Sequence, residues 1–398
     1  MLTQIHLTNF KCFAEKREFE LAKVNLFTGL NGRGKSSVLQ SVLLLSQSAY
    51  TLNSFRSLLV SSNRWIKLGD FSDILNSTNE QPIVLGFRSD KKTVESTEAT
   101  FSFYYKQHDG FSDRGKLVDY ESNGNLASKI ELGGLPLNDK NTIGEVNSKR
   151  SFDYTDDPLL LSLFKNVHYV SADRMGARLY YDKFGALDTK TGCHGEYFLN
   201  ILVRNPQISA SFSRSGKSTG LLEICQEWLD YIFEGAAISV KDAASTLELE
   251  MSSTNDGVLH KSVNVGFGYS YILALLVTTL IANREEIAIF ENPEAHLHPK
   301  AQSRFMELIA KRASEEHAPQ FFIESHSEHI LNALRVAVAN PEVQITKDDV
   351  TIHYFDKDFS SQKMDLKEDG FITNWPKGFF DEAELAMSLL FRYKHQRK

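Results

Sequence analysis

The chain has 398 residues, of which 42% are hydrophobic and 24% charged, and its formal net charge is -7. This length and mixture are typical of a globular protein with a substantial core, built as one large domain with insertions or as two domains. The negative charge excludes a protein that coats nucleic acid over its whole surface, because such a surface repels phosphate. Any DNA contact would need a local basic patch, for which Lys149-Arg150 and the tail 391–398 are the candidates.

Cysteine usage and hydropathy indicate a cytoplasmic protein without membrane contact. Cys12, Cys193 and Cys225 are scattered and form no CxxC pair, which fits a reducing cytosol and gives no support for a zinc knuckle. The N-terminus enters strand-like sequence directly, without a signal peptide. The uncharged stretch 263–283 is interrupted by glycines, and its helical part is too short to span a bilayer.

The first half of the sequence is predicted to be rich in strands. Residues 1–28 alternate as short strands, and a helix is predicted from about 34 to 49. Alternation over 82–106 predicts an antiparallel β-layer, whereas 107–157 is rich in Gly, Asn, Ser, Asp and Lys and is predicted to form long hairpin loops. We therefore assign 76–165 to a β-rich insertion with flexible loops.

The second half of the sequence predicts an α/β core. A mostly helical segment over 195–235 is assigned to a helical insertion at 190–245. Helices then alternate with strands at 286–290, 320–323 and 350–354, which predicts a parallel sheet. We assign the whole chain to a single domain, with its core at 1–75 and 258–358 and a C-terminal extension at 359–398.

The segment Gly29–Ser37, GLNGRGKSS, fits the phosphate-binding pattern G-x-x-x-x-G-K-[ST] and lies between a predicted strand and a predicted helix. Glycines let backbone N–H groups surround a triphosphate, and a helix N-terminus favours the same anion. Lys35 would bridge the β- and γ-phosphates, and the Ser36 hydroxyl would bind Mg²⁺. The predicted cofactors are therefore ATP and Mg²⁺, and the predicted nucleotide contacts are Gly29, Asn31, Gly32, Gly34, Lys35, Ser36 and Ser37.

A second segment, Ser215-Gly-Lys-Ser-Thr-Gly220, imitates this loop. Ser211 stands where the first glycine is required, and no strand is predicted before it. We interpret it as a loop without a nucleotide.

Three segments resemble a known class of ATPases. GLNGRGKSS resembles the GPNGSGKST loop of ABC-type ATPases, including Asn31, and Leu7–Phe13 resembles the L-x-N-F-K-x-F start of RecF, Rad50 and SMC heads. The segment 287–299, which contains E-N-P-E-A-H-L-H-P, resembles their Walker B strand, acidic pair and D-loop. This resemblance implies an ABC/SMC-type P-loop NTPase head with a mixed central sheet, an antiparallel β-layer and a helical insertion. It places Glu291 as the Mg²⁺-binding acid beside Ser36.

Two further segments extend the resemblance. Val265–Ser270 looks like a variant of the ABC signature, in which Gly266, Gly268 and Ser270 would face the γ-phosphate held by a second subunit. The match implies a head-to-head homodimer that encloses two ATP molecules. Phe322–Ser327 resembles the switch segment and places His326 near the γ-phosphate, where it would act in catalysis.

One position departs from the family pattern. Asn292 stands where the catalytic glutamate is usual, and an amide orients water but does not accept a proton as a general base. Glu294 would replace that glutamate, or Glu291 would serve two roles. Slow turnover, with ATP acting mainly as a conformational switch, is the hypothesis that follows.

Together these motifs most resemble RecF/OLD-like AAA ATPases, which are common in bacterial defence loci and include the ATPases of Septu-type systems. OLD nucleases continue into a Toprim domain, for which the residues after 354 are too few. The resemblance thus implies a homodimer or higher homo-oligomer that regulates a separate HNH-type nuclease subunit and meets DNA through the complex.

Two alternatives stay open. A stand-alone RecF-like DNA-repair ATPase would bind duplex DNA directly. A metal-dependent hydrolase would use Glu291, Glu294, His296 and His298, or His326 and His329. Arg174 and Arg178, in a segment that also looks familial, would reach the nucleotide or a partner, or form a structural ion pair.

Overall fold

The computed structural model describes residues 1–76, 81–90, 99–122, 125–127, 158–184, 190–253 and 257–396. The strands, in chain order, are β1 (Leu2–Thr8), β2 (Arg17–Glu20), β3 (Val24–Gly29), β4 (Ser57–Leu59), β5 (Ile83–Ser89), β6 (Ala99–His108), β7 (Phe111–Ser122), β8 (Asn125–Ala127), β9 (Val167–Val170), β10 (Tyr181–Asp182), β11 (Ala237–Asp242), β12 (Thr246–Ser252), β13 (His260–Lys261), β14 (Ile287–Glu291), β15 (Gln320–Glu324), β16 (Val350–Phe355) and β17 (Ser361–Lys363). The α-helices are α1 (Lys35–Leu52), α2 (Phe71–Ile74), α3 (Pro158–Lys165), α4 (Phe198–Arg204), α5 (Leu221–Phe233), α6 (Phe267–Ile281), α7 (Pro299–Ala313), α8 (Glu328–Ala339) and α9 (Glu382–Gln396).

The chain forms two compact units. The first unit comprises Met1–Glu20 and Ser36–Val167, and the second comprises Leu21–Lys35 and His168–Lys398. The phosphate-binding loop closes the first segment of the second unit, and the chain enters the first unit directly after Lys35. Among the described residues, no helix has the length and apolar character that a membrane span requires.

The first unit is built on an antiparallel sheet with the strand order β2-β1-β5-β6-β7-β4, and β8 pairs with β7. In β6, Phe101, Phe103 and Tyr105 occupy alternate positions and are buried, as a strand with one face on a core requires. The predicted antiparallel layer is therefore present.

The extent of this layer differs from the prediction. Residues 111–122 form β7 and pair with β6 across a turn at Gly110, whose φ of 92° favours glycine. Many polar residues lie on β7, so its composition resembles that of a loop. Because β5 pairs with β1, the strands of 76–165 continue the sheet of β1 and do not form a separate layer. Most of the predicted loop, 128–157 with Lys149-Arg150, lies outside the described residues.

The second unit contains the predicted parallel sheet, with the order β17-β16-β3-β15-β14-β9. The pairs β16–β3, β3–β15 and β15–β14 are parallel. All residues of β15 are buried, and so are the first four of β14, as expected for parallel strands covered on both faces. The carboxyl ends of β3, β15 and β14 therefore meet at one edge.

A smaller antiparallel sheet, β10-β12-β11 with β13 beside β12, belongs to the same unit. The predicted helical segment contains α4 and α5, separated by a loop over 205–220. In α5 the predicted apolar stripe is buried, and Trp228 Nε1 donates to the carbonyl of Phe212 at 2.7 Å.

A buried asparagine joins the central strands. Asn25, in β3, donates to the carbonyls of Ala22 and Phe321, both at 2.9 Å, and accepts from Thr351 Oγ1 at 2.7 Å. We expect Asn25→Ala to lower the free energy of unfolding by about 2 kcal/mol, because it leaves buried polar groups unpaired. Urea denaturation measures this, with the exposed Asn63→Ala as the control. Equal midpoints for the two variants would contradict the role of Asn25.

Candidate functional site

The register of the parallel sheet brings the predicted motifs to one edge. Glu291, the last residue of β14, pairs with Glu324 of β15, and Glu324 pairs with Phe27 of β3. The phosphate-binding loop follows β3 and the switch segment follows β15, so both begin at the same level of the sheet. Ligands of open α/β sheets bind at this carboxyl edge.

The loop depends on glycine at its first position. Gly29 has a φ of 113°, and a Cβ added there would lie 2.3 Å from the carbonyl oxygen of Phe355 in β16. The next amide, that of Leu30, donates to the same oxygen at 2.9 Å. Gly29 is thus required both for the backbone conformation and for close packing against β16.

Lys35 lies inside the loop. Its side chain is 2% exposed, and Nζ donates to the carbonyls of Gly29 at 3.1 Å and Leu30 at 2.7 Å. Burial lowers the pKa of Lys35, while the charge of Glu324 raises it. A desolvated ammonium held against backbone carbonyls is suited to bind phosphate oxygens.

The other loop residues differ in exposure. Asn31 and Gly32 are exposed, whereas Gly34 and Ser36 are half-buried. Helix α1 begins at Lys35, and its residues from Ser36 onward belong to the first unit. Ser37 is buried, and its Oγ accepts from Cys12 Sγ at 3.9 Å within that unit.

Glu291 has the surroundings of a cation ligand. The Tyr169 hydroxyl and the Ala172 amide, the latter at 3.3 Å, donate to its carboxylate. Burial raises the pKa of Glu291, so an adjacent cation would offset the cost of its charge. Carboxylate oxygens are ligands that Mg²⁺ prefers, so Glu291 is a residue that fits a metal ion.

Arg174 has a structural role that sequence reasoning left undecided. It is 3% exposed and donates to the carbonyls of Ser171 at 3.0 Å, Glu291 at 2.8 Å and Asn292 at 2.9 Å. It therefore holds the turn after β14, in which Asn292 has a φ of 43°. Arg178 is exposed. The bonds of Arg174 to backbone carbonyls differ from a simple ion pair. Its burial does not fit a contact with a partner protein.

Glu294 joins the D-loop to the switch segment. Its oxygens accept from Ser325 Oγ at 2.9 Å and from the His326 amide at 2.8 Å, and Asn292 Nδ2 lies 3.4 Å away. Asn292 is itself anchored, because its amide donates to the Glu324 carbonyl at 2.8 Å. This geometry makes Glu294 a positioning residue for His326.

His326 contacts the phosphate-binding loop through a hydrogen bond with the Gly29 backbone. Burial, followed by the charge of Lys35, lowers the pKa of His326 below its usual 6.5. The imidazole is therefore uncharged at neutral pH and able to accept or donate a hydrogen bond.

Glu324 is the residue that sequence reasoning missed. It is 6% exposed and lies between the loop strand and the acid strand, and its charge acts on both Lys35 and Tyr169. A carboxylate directly after the apolar run 321–323 was the available signal. It supplies a second acidic group beside Glu291.

The signature segment is only partly as predicted. Gly268 allows close packing, since a Cβ there would lie 2.5 Å from the His296 carbonyl oxygen. Ser270 was predicted to face a second subunit, but it is 2% exposed and its Oγ lies 4.0 Å from Met251 Sδ. It lies on the inner side of the first turn of α6, so its hydroxyl points into the core. The exposed groups here are Gly266 and Phe267, the latter 63% exposed.

The predicted alternative of a histidine metal site finds no support in the geometry. Within the ranges the structure describes, the only group of three that could hold a metal is Cys193, His194 and Glu196. His298 instead caps α7 by accepting from the Lys300 amide at 3.3 Å.

The second glycine-serine loop, 215–220, surrounds a carboxylate of its own. Hydroxyl groups of Ser213, Ser215 and Ser218 donate to Glu227 at 2.6–2.7 Å. Although burial opposes it, these donors lower the pKa of Glu227 to about 2. Glu227 thus occupies the position that an anion would take, which supports the interpretation of this loop as one without a nucleotide.

Comparison with known proteins agrees with this geometry. A family model described as an AAA ATPase domain matches residues 1–167 and 204–331, and one described as a protein of unknown function (DUF3696) matches 345–390. No curated protein matches the chain in sequence.

Two solved structures have a similar fold. One is an SmcHead bound to the C-winged helix domain of ScpA, at 13% identity and a TM-score of 0.52, covering 92% of this chain and 97% of that one. The other is an Smc head domain with an extended coiled coil bound to the C-terminal domain of ScpA, derived from Pyrococcus furiosus, at 12% identity and a TM-score of 0.52, covering 99% of both chains. The predicted fold class is confirmed, and the chain belongs to the AAA ATPase domain family.

Proposed function

We propose that this chain binds ATP and Mg²⁺, hydrolyses ATP slowly, dimerises around the nucleotide and thereby controls a separate nuclease in prokaryotic antiviral defence. The observation that carries the ATP part is the meeting of Lys35, Glu291, Glu324 and His326 at one edge of a parallel sheet. The three free cysteines of the described residues fit a cytoplasmic location.

In this proposal the loop binds the triphosphate through backbone amides and the Lys35 ammonium. Ser36 and Glu291 would hold Mg²⁺, which would neutralise negative charge on the triphosphate. His326, uncharged and hydrogen-bonded to Gly29, senses the γ-phosphate. Because Glu294 accepts from the His326 amide, a movement of His326 would be transmitted to the D-loop, in which Glu294 lies.

For hydrolysis we assign the general base to Glu324. Asn292 orients water without accepting its proton, and the oxygens of Glu294 already accept hydrogen bonds from the switch segment. Glu324 is buried and lies next to Glu291, and the charge of Glu324 acts on Lys35. A turnover above about 10 s⁻¹, typical of efficient enzymes, would contradict slow hydrolysis.

We place the dimer contact at the exposed start of α6. Gly266 and Phe267 project from the head there, and the helix N-terminus behind them favours an anion. In the dimer this surface meets the nucleotide of the second copy. A Cβ at Gly266 meets only Tyr269, at 3.7 Å, so a side chain is accommodated in the monomer.

We expect Gly266→Arg to keep ATP affinity and to abolish ATP-dependent dimerisation, because the new side chain enters the contact. Light scattering with and without ATP and Mg²⁺ measures the mass, and nucleotide titration measures binding. Val336→Arg, at a residue 66% exposed in α8, is the matched control. An ATP-dependent mass increase in Gly266→Arg equal to that of the control would place the dimer contact elsewhere.

The proposed effector is a separate HNH-type nuclease. Its support is the resemblance of the E-N-P-E-A-H-L-H-P segment to ATPases of defence loci, and the two similar Smc heads are themselves bound to a partner protein. Co-expression with a neighbouring HNH-type nuclease gene, followed by co-purification and a DNA cleavage assay with and without ATP, tests it. Steeply salt-dependent binding of duplex DNA by the chain alone would favour a RecF-like repair ATPase instead.

A further inference from the structure

The turn before α4 brings together three side chains of metal-binding type. Cys193, His194 and Glu196 each offer one ligand atom, and the sulfur, a ring nitrogen and a carboxylate oxygen lie within 4.8 Å of one another. Cys193 is 6% exposed, whereas His194 and Glu196 are half-buried. The group therefore combines a protected thiol with two ligands that solvent can reach.

Two glycines fold the turn so that these side chains converge. Gly192 and Gly195 have φ values of 85° and 83°, a backbone conformation that favours glycine. A Cβ at Gly192 would lie 2.1 Å from Oε2 of Glu196, so glycine leaves the room that this carboxylate occupies. The same carboxylate accepts from the His194 amide at 3.0 Å. The turn thus fixes Glu196 beside the two residues that precede it.

The ring of His194 is oriented by the backbone. Its Nδ1 lies 2.6 Å from the carbonyl oxygen of Asp173 and 3.3 Å from Ser171 Oγ. Because a carbonyl oxygen only accepts, Nδ1 carries the proton and Nε2 carries the lone pair. A histidine that donates to a backbone carbonyl in this way is typical of metal sites, where the hydrogen bond fixes the ring.

We propose that Cys193, His194 and Glu196 bind a Zn²⁺ ion, with a water molecule as its fourth ligand. Zn²⁺ takes sulfur, nitrogen and oxygen ligands, whereas Mg²⁺ and Ca²⁺ prefer oxygen alone, so the thiol selects zinc. The Cys193 thiol donates to Oε1 of Glu196 at 3.8 Å. On binding, its S–H bond breaks, a sulfur–zinc bond forms and the proton passes to water. The thiolate and the carboxylate then balance the charge of the ion.

The zinc site supports the segment that holds Glu291. The carbonyls of Cys193 and His194 accept from two amides of the segment 171–175, both at 2.8 Å. That segment contains Arg174, which donates to the Glu291 carbonyl. A zinc ion at this turn therefore stiffens the support of the acid strand. It binds without nucleotide, so the site goes beyond the proposed ATP function.

Titration of the metal-free full chain with Co²⁺ tests the ligands. Co²⁺ takes the same ligands as Zn²⁺, and a thiolate bound to it gives a charge-transfer band in the near ultraviolet. We expect this band to saturate at one ion per chain and to disappear when Zn²⁺ displaces Co²⁺. Cys193→Ser is expected to abolish the band. Cys12→Ser, at a half-buried free cysteine of the first unit, is the matched control and keeps it.

Glu196→Gln tests the site without disturbing the turn. Glutamine keeps the shape of glutamate and still accepts from the His194 amide, but it lacks the charge. Loss of a residue that only supports a metal ligand costs about 10- to 100-fold in affinity, so we expect loss of this ligand to weaken Zn²⁺ binding about 100-fold. Glu316→Gln, at an exposed residue, is the control. Zn²⁺ is expected to raise the Tm of the control but not that of Glu196→Gln.

Three outcomes would overturn the zinc site: an unchanged chain without the thiolate band, a band that persists in Cys193→Ser, or equal Zn²⁺ affinity in Glu196→Gln and Glu316→Gln. Circular dichroism confirms that each variant is folded. Lys35→Ala is expected to keep the band while it loses ATP. Failure of the zinc site and failure of the nucleotide site are therefore recognised separately.

Discussion

Lys35→Ala is expected to lower the affinity for ATP by about 100-fold or more, because the substitution removes the one ammonium that the loop encloses. Lys35 is almost fully buried, and Nζ already donates to two carbonyls of the loop. The variant thus loses the charge that binds phosphate and also frees the carbonyls that shape the loop. Titration with a fluorescent ATP analogue measures the change.

Lys217→Ala is the matched control for this experiment. Lys217 lies in the loop 215–220, which has the same local sequence Gly-Lys-Ser but surrounds the carboxylate of Glu227. We expect its affinity for ATP to equal that of the unchanged chain. If the two variants lost affinity equally, or if only Lys217→Ala did, the nucleotide would not be bound at Gly29–Ser37.

Glu324→Gln is expected to lower kcat for ATP hydrolysis by about 100-fold, the lower end of what general-base catalysis contributes. Glutamine has the shape of glutamate, so the strand packing stays, but an amide does not take the proton from water. We expect the dissociation constant of ATP to change little, because the amide still occupies the position beside Lys35. Single-turnover hydrolysis and equilibrium titration separate the two quantities.

Two further variants decide which carboxylate acts. Glu328→Gln changes an acid four residues along the chain, in α8, where Glu328 accepts from Asn332 at 3.1 Å, and we expect no effect on kcat. Glu294→Gln is expected to disturb the position of His326 and to lower kcat less than Glu324→Gln. A larger loss from Glu294→Gln would transfer the base to Glu294, as the sequence had suggested.

Much of the candidate nucleotide site is readable from the sequence because its residues are close together in the chain. In Gly29–Ser37 the glycines, the lysine and the serine lie within nine consecutive residues, so their spacing alone predicts the cradle. The alternation of helices and strands after residue 270 likewise predicts the parallel sheet, since each buried strand is a short apolar run. The signature segment shows the limit of this reasoning. Its glycines are visible in sequence, but the direction of the Ser270 side chain depends on how α6 packs.

By itself, the sequence determined the class of the fold, and it predicted the position of the nucleotide loop and an asparagine, Asn292, where the resemblance implies a glutamate. Only the tertiary structure decided that Glu324 stands beside Glu291, and that Arg174 holds the turn after β14 from 117 residues away. The physical reason is that strand register and buried hydrogen bonds join residues distant in the chain, and no local pattern records such a contact.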